Sequence, residues 1–528
     1  MRALLANMGF VLQISGIFIV LPIILSFINN ETVATVALFI TATIFLILGF
    51  TFNAFCERRT LSYRSSSALF VLVFVLLTLI GSIPYMYVNF SNGDIIQNVS
   101  DSIFEAASGF TTTGFSLIPN ISALPQSIIF YRALTQFIGG IGIVMVLLAF
   151  FYPDTKLKDF AKFMGFSKDQ KIKKTFLLII LIYCVYTMIM IVMSIVLGYH
   201  DVVNAMSFVF SAISTGGFAP VGDITSVATS FPMNAILVIS MVLGASNFFV
   251  IAGLFKRKFK NFFVSEFSVF FIMAIVAISI AAIAFGLSAE KAVFHIISAM
   301  TNSGFSYVSI VQFTDGFKFF LVLLMLIGGA SFSTAGGFKI FRFVLMLKAV
   351  RKAVFESVTG RDYQIKLFGR EYTNANIIQA AVTVLLFISL AFISAFIVSS
   401  YGFPLIDSLF ETTSAVATTG LSVGIINPAL VVELKWLFVA LMILGRVEIF
   451  AVFAMFTRVK DRPIISVEKI SEKPKNTLKE NQITKQVKCP TCGNIETYIG
   501  RPGDTITITC SSCGTTGQIA IPKIIQKK

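Results

Sequence analysis

Four short stretches of this chain have nearly the same sequence, in which small or hydroxyl-bearing residues precede a glycine and then an apolar residue. They are 111–115 (TTTGF), 214–218 (STGGF), 301–305 (TNSGF) and 417–421 (ATTGL). Each follows a short apolar or amphiphilic run and precedes a long apolar segment. Only small residues let several backbones approach one axis closely. The repetition therefore predicts four tight turns that converge on a common point.

The composition places these turns in a membrane. The chain has 528 residues, of which 56% are hydrophobic and 13% are charged, whereas soluble domains carry about 25% charged residues. Runs long enough to cross hydrocarbon, which takes about 20 apolar residues, include 70–87, 176–197, 267–285 and 377–398. The sequence therefore predicts a polytopic membrane protein and excludes a soluble fold.

The net charge of +15 is unevenly distributed. Lysine and arginine concentrate in 56–66, 151–175, 255–262, 339–370 and the tail 458–528, and they are absent from 88–127, 198–232 and 400–434. This alternation follows the positive-inside rule and predicts a plasma-membrane protein with both termini in the cytoplasm. Topology explains the basic charge, so no nucleic-acid partner is expected.

The chain also repeats at the level of whole segments. After a two-helix hairpin, each of four units consists of an outer helix, a short half-membrane P helix with its turn, and an inner helix. The P segments are predicted near 100–113, 203–215, 291–302 and 406–418, and the inner helices near 128–150, 232–255, 317–346 and 432–457. The expected fold is an all-α membrane protein with these four repeats around one pseudo-four-fold pore, plus a small β zinc-ribbon tail. The predicted boundaries are 1–60 for the hairpin, 61–155, 156–262, 263–370 and 371–460 for the repeats, 461–487 for a linker and 488–524 for the ribbon.

Two P segments share acidic residues at the same spacing. Asp101 and Asp407 lie thirteen residues before the glycine of their turn, and Glu105 and Glu411 lie nine before it. Acids near the start of a short helix suit its positive end, so we expect these helices to direct their negative ends toward the centre. His295, in the third P segment, is expected to be a polar residue that lines its helix, and a proton-linked role is the alternative.

The four turns suit the chemistry of a cation filter. Backbone carbonyls can replace the water around an alkali cation, and irregular backbone at membrane depth is tolerated only inside protein or beside a water-filled cavity. A single such turn would more simply be a tight turn; four copies favour a filter. The predicted filter residues are Thr111, Thr112, Thr113 and Gly114; Ser214, Thr215, Gly216 and Gly217; Thr301, Asn302, Ser303 and Gly304; and Ala417, Thr418, Thr419 and Gly420.

The inner helix of repeat 3 is predicted to be broken. Glycine costs about 1 kcal/mol in a helix interior, and broken helices often line a transport path. Close packing of small residues between helices is the alternative. The candidate gate residues are Gly328, Gly329, Ser331, Ser333, Thr334, Gly336 and Gly337.

Arg446 is the other unusual residue of the inner helices. It lies eleven residues after Lys435 and twelve before Arg458, too deep for its side chain to reach the membrane surface easily. At about 6 Å from a monovalent cation, with an effective dielectric of about 20, it would repel that cation by about 3 kcal/mol. It is therefore a candidate gate residue; a buried pair with an acid on another helix is the alternative.

Together these motifs resemble the Trk/Ktr/HKT superfamily of potassium transporters, and within it the TrkH-type subunits. The resemblance covers about 1–460 and rests on 110–115, 214–218, 136–142 (QFIGGIG), 328–339 (GGASFSTAGGFK) and 444–448 (LGRVE). It implies that the 328–337 break is an intramembrane gating loop and that Arg446 lies below the filter. Glycine in all four filter positions implies potassium as the transported ion. The resemblance also implies a homodimer and a TrkA-like regulatory subunit that binds nucleotides.

The tail contains two CxxC pairs, Cys489 with Cys492 and Cys510 with Cys513, and seventeen residues lie between the pairs. This spacing is typical of a four-cysteine structural zinc ribbon. A redox pair or disulfides are the alternatives, which the predicted cytoplasmic location disfavours. The TrkH-type pattern does not usually include such a ribbon.

Three other functions are alternatives to potassium uptake. A sodium-selective or sodium-coupled relative would share the fold. A zinc-dependent membrane enzyme would need catalytic metal ligands such as an HExxH motif, which the sequence lacks. The sequence also lacks the GxxxxGK[ST] loop of an ATPase, so no enzyme is expected. A membrane sensor or receptor could use the ribbon as its output.

Overall fold

The computed structural model describes residues 2–55, 63–90, 94–146, 172–222, 224–255, 265–361, 363–368, 370–447, 449 and 452, and the tail strands within 483–520. The chain divides into two compact units, Met1–Thr457 and Arg458–Lys528. The first unit is helical and holds the four repeats. The second unit contributes two strand hairpins.

Six helices of the described residues are long and apolar enough to cross a membrane. Two form the leading hairpin and four are the outer helices of the repeats, as the apolar runs predict. They span Leu5–Ile28, Thr32–Phe55, Ser67–Val88, Ile179–Val196, Glu266–Phe285 and Asn374–Ser400. The protein is therefore a multi-pass membrane protein.

The leading hairpin is tied to the first repeat through Glu31. The Glu31 carboxylate accepts hydrogen bonds from Gln126 N (2.7 Å), Ser127 N (3.1 Å) and the Ser127 hydroxyl. These donors begin the inner helix of repeat 1, Gln126–Val146. A carboxylate satisfies amide groups that have no partner within the helix and complements its positive end.

The four P helices are shorter. They span Ile95–Phe110, Val202–Ile213, Ala289–Met300 and Leu405–Val416. The first begins earlier than the predicted 100, because the Asp94 side chain accepts a hydrogen bond from Gln97 N and caps the helix there. Asp101 therefore lies in the middle of this helix, and the expectation that it lies near the positive end was wrong. Asp407 lies in the first turn of its helix, as expected.

Over the residues that the structure describes, two of the four inner helices are interrupted. The break expected in repeat 3 is observed, since the helix Asp315–Ile327 ends at Gly328 and helix Ile340–Thr359 begins twelve residues later. The inner helix of repeat 2 was expected to be continuous over 232–255, but it consists of Phe231–Ala245 and Phe248–Phe255. The inner helix of repeat 4 spans Val432–Val447.

The repeats are arranged in a cycle. Each P helix packs against the inner helix of its own repeat and also against the inner helix of the preceding repeat, with the first P helix packing against the fourth inner helix. This cyclic packing brings the ends of the four P helices together. A short antiparallel hairpin that the sequence did not predict, β1 (Ile365–Leu367) and β2 (Arg370–Tyr372), follows the third inner helix.

The tail unit contains two antiparallel hairpins. β3 (Ile483–Lys488) pairs with β4 (Ile495–Gly500), and β5 (Thr505–Thr509) pairs with β6 (Thr516–Ala520). β3 begins five residues before the predicted start of the ribbon at 488, inside the predicted linker, because its pairing with β4 extends back to Ile483.

Candidate functional site: a ring of four turns

Each P helix ends in the same backbone motif. The amide of the third turn residue donates to the carbonyl five residues earlier in all four repeats: Thr113 to Ser108, Gly216 to Ser211, Ser303 to Ser298 and Thr419 to Ser414, at 2.8–2.9 Å. This six-residue bond is the Schellman arrangement that satisfies the last carbonyls of a helix. The sequence similarity of the turns thus corresponds to one repeated conformation.

The second and fourth residues of every turn have positive φ. The second residues are Thr112 (55°), Thr215 (54°), Asn302 (54°) and Thr418 (49°), and the fourth are Gly114 (94°), Gly217 (80°), Gly304 (74°) and Gly420 (85°). A β-branched threonine rarely adopts this conformation, which costs about 1–3 kcal/mol when the surroundings impose it. Such strain is concentrated at functional sites.

The four glycines form a closed cycle with the neighbouring turns. A Cβ atom added to Gly114 would lie 2.0 Å from the Gly216 carbonyl oxygen, and the same holds for Gly217 with Ser303 (2.5 Å), Gly304 with Thr419 (2.1 Å) and Gly420 with Thr113 (1.9 Å). Each turn therefore touches the next one, and the fourth touches the first. The structure brings all sixteen predicted filter residues into this ring.

The hydroxyl groups of the ring have different partners. Thr111 and Thr113 bond each other at 2.8 Å, as do Thr301 and Ser303. The hydroxyls of Ser214 and Thr215 bond to backbone carbonyls in their own repeat. In contrast, the hydroxyl oxygens of Thr112 and Thr418 are buried and have no hydrogen-bond partner among the described residues. Buried polar atoms normally have one, so these two oxygens are available to a water molecule or an ion.

Two amide side chains hold the turns in place, one from an inner helix and one from the third turn itself. Gln136, from the first inner helix, donates to the Gly216 carbonyl (2.7 Å) and accepts from Phe218 N (3.2 Å) and the Ser211 hydroxyl (2.7 Å). Asn302 donates to the Thr419 hydroxyl of the next turn (2.8 Å) and to the Met325 carbonyl (2.9 Å). These bonds fix the spacing of the turns independently of any ion.

An open cavity of about 450 Å³ adjoins the glycine end of the ring. All four ring glycines line it, together with the segments that follow each turn. Arg132 also lines it, with its guanidinium 4.1 Å above the Phe218 ring and 3.6 Å from Glu105. Solvent can therefore reach the ring from this side.

The loop 328–339 contacts the opposite end of the ring. The Thr334 hydroxyl lies within hydrogen-bond distance of two carbonyl oxygens, those of Ile213 (3.0 Å) and Gly244 (2.9 Å), and a Cβ atom on Gly336 would lie 1.8 Å from the Ala417 carbonyl oxygen. Ile213 and Ala417 belong to the P-helix side of turns 2 and 4. The loop therefore runs from one side of the ring to the other.

The remaining candidate gate residues shape this loop. Gly328 and Gly337 have φ of 71° and pack against each other, while Gly329 packs against Ala335. The Ser333 hydroxyl donates to the Ala330 carbonyl at 2.6 Å. Ser331 N donates to the Glu266 carboxylate at 2.5 Å, so the outer helix of repeat 3 also holds the loop.

The unexpected break in the second inner helix provides hydrogen-bond partners for backbone amides of the loop 328–339. Because that helix stops at Ala245, the carbonyls of Gly244 and Ala245 are free to accept from Thr334 N (3.1 Å) and Ala330 N (3.0 Å). Phe248 N then donates to the Phe332 carbonyl at 3.1 Å. Unpaired backbone groups are costly in a membrane, and here the two interrupted helices satisfy each other.

Arg446 contacts the loop directly. Its Nη1 donates to the Thr334 carbonyl at 2.6 Å and its Nη2 to the Gly139 carbonyl at 3.3 Å. The side chain is buried, and no described acidic residue forms an ion pair with it. Arg446 thus links the fourth inner helix, the first inner helix and the loop.

Sequence reasoning missed a set of glycines that positions the P helices. A Cβ atom on Gly139, Gly244 or Gly445 would lie 1.9–2.1 Å from the carbonyl oxygen of the last residue of its own P helix. The signal was present in the sequence, because the inner helices read IGG, LGA, IGG and LGR at corresponding positions. In that alignment Arg446 occupies the place of Gly140, Ala245 and Gly329.

The structure does not test the proposed zinc site. Among the described residues, no group of three or more histidine, cysteine or acidic side chains could hold a metal ion. Cys489, Cys492, Cys510 and Cys513 lie outside the described residues.

Apolar helices that surround a ring of converging backbone turns define a multi-pass membrane protein of the transporter and channel class. The TrkH family model, described as a cation transport protein, matches residues 34–268 and 258–463. The chain therefore belongs to the TrkH family of cation transport proteins. It is a transporter and not an enzyme.

Relatives with curated descriptions agree with this assignment. An uncharacterized cation transporter of Methanocaldococcus jannaschii is 28% identical over 461 residues, which cover 86% of this chain and 95% of the relative. The Trk system potassium uptake protein TrkH of Halomonas elongata is 27% identical and that of Escherichia coli 25% identical, each covering 76% of this chain and 86% of the relative.

The fold agrees with a solved structure as well. The crystal structure of the potassium transporter TrkH from Vibrio parahaemolyticus superposes with a TM-score of 0.74 at 22% identity, covering 87% of this chain and 98% of that one. At this level of identity the match establishes the fold alone.

Proposed function

We propose that this chain forms a potassium-uptake pore and that the ring of four turns is its selectivity filter. The observation that carries the proposal is the cycle of contacts from Gly114 through Gly217, Gly304 and Gly420 back to Thr113. A filter must present backbone carbonyls to a dehydrated ion. Close contact between adjacent turns on all four sides supports this role, and the unpartnered oxygens of Thr112 and Thr418 add two candidate ligands.

Potassium is the favoured ion for two reasons. Glycine occupies the fourth position of every turn, which in the superfamily goes with potassium preference, and the relatives from Halomonas elongata and Escherichia coli are described as potassium uptake proteins. A sodium-selective pore is the alternative, and reversal potentials in mixed potassium and sodium distinguish the two.

In this proposal the loop 328–339 is the gate. It contacts the ring at the end away from the open cavity, and its backbone is held by Arg446 and Glu266. An ion that has passed the ring would next meet the loop and the Arg446 charge. The positive-inside pattern supports an orientation with the cavity outside the cell and both termini in the cytoplasm. In that orientation uptake runs from the cavity to the loop.

We assign a structural zinc site to the tail. The register pairs Lys488 with Ile495 and Thr509 with Thr516, so six residues of the sequence separate the two strands of each hairpin. Those six residues are CPTCGN in one hairpin and CSSCGT in the other. Two hairpin connections that each supply two cysteines match the donor set of a four-cysteine ribbon. Cys489, Cys492, Cys510 and Cys513 would hold the ion, which would stabilise the fold of the tail.

The assembly follows from the superfamily resemblance. We propose a homodimer that works with a TrkA-like nucleotide-binding regulatory subunit. The basic segments 151–175 and 339–370 would face the cytoplasm and are candidates for its docking surface; most of the first lies outside the described residues.

Rescue of potassium-uptake-deficient cells tests the function. Cells that express the chain, with a regulatory partner supplied, should grow at low potassium, whereas cells with an empty vector should not. A chain lacking 461–528 should retain uptake if the tail is accessory. Failure of the well-expressed full chain to rescue growth contradicts a potassium pore. If the cells take up cations but do not grow at low potassium in sodium-free medium, a pore for a different ion is favoured.

A further inference from the structure

Three of the four turns are tethered to their P helix through the same pair of positions. The residue nine before the filter glycine bonds the serine two after it: Glu105 to Ser116 at 2.7 Å, His295 to Ser306 at 3.2 Å and Glu411 to Ser422 at 2.5 Å. All three serines line the open cavity. The tether therefore fixes the segment that leaves the ring toward the cavity.

The two glutamates form further bonds to the same segments. Glu105 accepts from Leu117 N at 2.6 Å, and Glu411 accepts from Val423 N at 2.9 Å and Ile426 N at 3.1 Å. Carboxylates that accept several hydrogen bonds are strong anchors. His295 occupies the corresponding position in repeat 3 with a different side chain and makes the corresponding serine contact.

Repeat 2 lacks this pair. Its corresponding residues are Phe208 and Ala219, which cannot form a side-chain hydrogen bond. Arg132 contacts that segment instead, with Nη1 donating to the Ala219 carbonyl at 3.4 Å and the guanidinium over the Phe218 ring. Each turn thus has a tether, and the tethers are a carboxylate, an arginine, an imidazole and a carboxylate in order.

The His295 ring is held in one orientation. It is fully buried, and Nδ1 lies 2.9 Å from the Lys291 carbonyl, which can only accept, so Nδ1 carries a proton. Tyr307 and Phe313 pack against the ring with centroids 5.1 and 5.4 Å away. Nε2 is thereby directed at the Ser306 hydroxyl as an acceptor, and the single proton of that hydroxyl is shared between Nε2 (3.2 Å) and the Val308 carbonyl (2.5 Å).

We propose that His295 is a positioning residue for ion selectivity, acting through Ser306 on the third turn of the filter; this rests on the proposed function. Ser306 lies two residues after Gly304, and Gly304 is in close contact with the Thr419 carbonyl of the next turn. Release of Ser306 lets Gly304 move away from Thr419 and opens one side of the ring. A ring with a variable diameter discriminates less between potassium and sodium.

The test compares variants of the full chain by bi-ionic reversal potentials in planar bilayers. His295→Phe copies the residue of repeat 2 and keeps the bulk of the side chain, and Ser306→Ala removes the other partner. Each should raise the sodium-to-potassium permeability ratio about tenfold, the equivalent of one buried hydrogen bond of about 1.4 kcal/mol. His295→Gln keeps a polar atom toward Ser306 and should stay close to the wild-type ratio.

Tyr307→Phe is the matched control, because it lies in the same segment and its hydroxyl is buried without a partner among the described residues. It should leave the ratio unchanged. If His295→Phe fails to fold, Ser306→Ala, which removes a single oxygen atom, decides the question alone. Wild-type ratios in both variants overturn the inference and leave the potassium pore intact, whereas a wild type that does not prefer potassium overturns the proposed function first.

Discussion

Lys435 Nζ lies 2.6 Å from Asp101 Oδ1, although 334 residues separate the two, and both side chains are only 1% exposed. Lys435 belongs to the fourth inner helix and Asp101 to the first P helix, so this ion pair closes the cycle of repeats. Lys318 and Asp407 make the equivalent pair at 2.7 Å between the third inner helix and the fourth P helix. The two lysines lie ten residues before Gly445 and Gly328, respectively.

Removing the charge of Lys435 should destabilise the protein strongly. Lys435→Met leaves the Asp101 carboxylate buried without its partner, which costs about 3–5 kcal/mol for a buried pair. We expect a large fall in the thermal unfolding midpoint of the detergent-purified protein. Lys318→Met is the matched control, since its partner Asp407 is 22% exposed and water can solvate the carboxylate. Equal effects of both changes would contradict a special role for the buried pair.

Two glycines in one helix should respond differently to alanine. At Gly139 a Cβ atom would lie 2.1 Å from the Phe110 carbonyl oxygen, whereas at Gly142 no atom of the described residues lies within 4 Å. Gly139→Ala should displace the first P helix and reduce both folded yield and ion flux. Gly142→Ala should be neutral or stabilise by up to about 1 kcal/mol, because alanine favours helix. If the Gly139→Ala protein kept its folded yield and ion flux, the position of the P helix would not depend on this contact.

Arg446 should hold the loop in its observed position. Arg446→Ala removes the 2.6 Å bond to the Thr334 carbonyl and a buried charge, and a charge-assisted hydrogen bond contributes about 1.5–3 kcal/mol. Unstimulated potassium flux into proteoliposomes should therefore rise about tenfold or more. Glu433→Ala, at an exposed position in the same helix, is the control. Unchanged or lower flux in a folded Arg446→Ala protein would contradict the assignment of the loop and Arg446 as the gate.

The turns were predictable from the sequence because the same short pattern occurs four times, and repetition specifies a shared conformation. The break at 328–339 was predictable because its glycines disfavour helix locally. The break after Ala245 was not, since its cause is the neighbouring loop, whose amides bond the carbonyls of Gly244 and Ala245. Local propensity contains no information about such a partner.

Ion pairs between residues far apart in the sequence could not be predicted either. Spacing related Asp101 to Asp407 and Glu105 to Glu411, but it could not reveal Lys435 or Lys318 as partners of the aspartates, because these contacts depend on cyclic packing of the repeats. His295 was expected to line its helix, with a proton-linked role as the alternative, and neither expectation related it to the glutamates. Its equivalence to Glu105 and Glu411 appears only when the serine contacts are compared. Histidine and glutamate are different residue types in the sequence, but each bonds the serine two residues after the glycine of its turn.

The tail should contain one zinc ion per chain. Metal analysis of the full chain purified under reducing conditions should give a ratio of about one, because four thiolates complete a tetrahedral site. Cys510→Ser should lose the metal, whereas Cys184→Ser, outside the tail, should keep it. Metal-free wild-type protein with two disulfides would contradict the ribbon and favour an oxidised pair of hairpins.

The most direct test of the account is the reversal potential of the wild type and of Gly114→Ser with potassium on one side of a bilayer and sodium on the other. The side chain at 114 would meet the Gly216 carbonyl. Gly222→Ser is the control, because Gly222 lines the same cavity and no atom of the described part of the chain lies within 4 Å of a Cβ placed there. We expect the wild type and Gly222→Ser to reverse near the potassium equilibrium potential, and Gly114→Ser to shift strongly toward that of sodium. Identical reversal potentials for all three proteins would contradict the assignment of the ring as the selectivity filter.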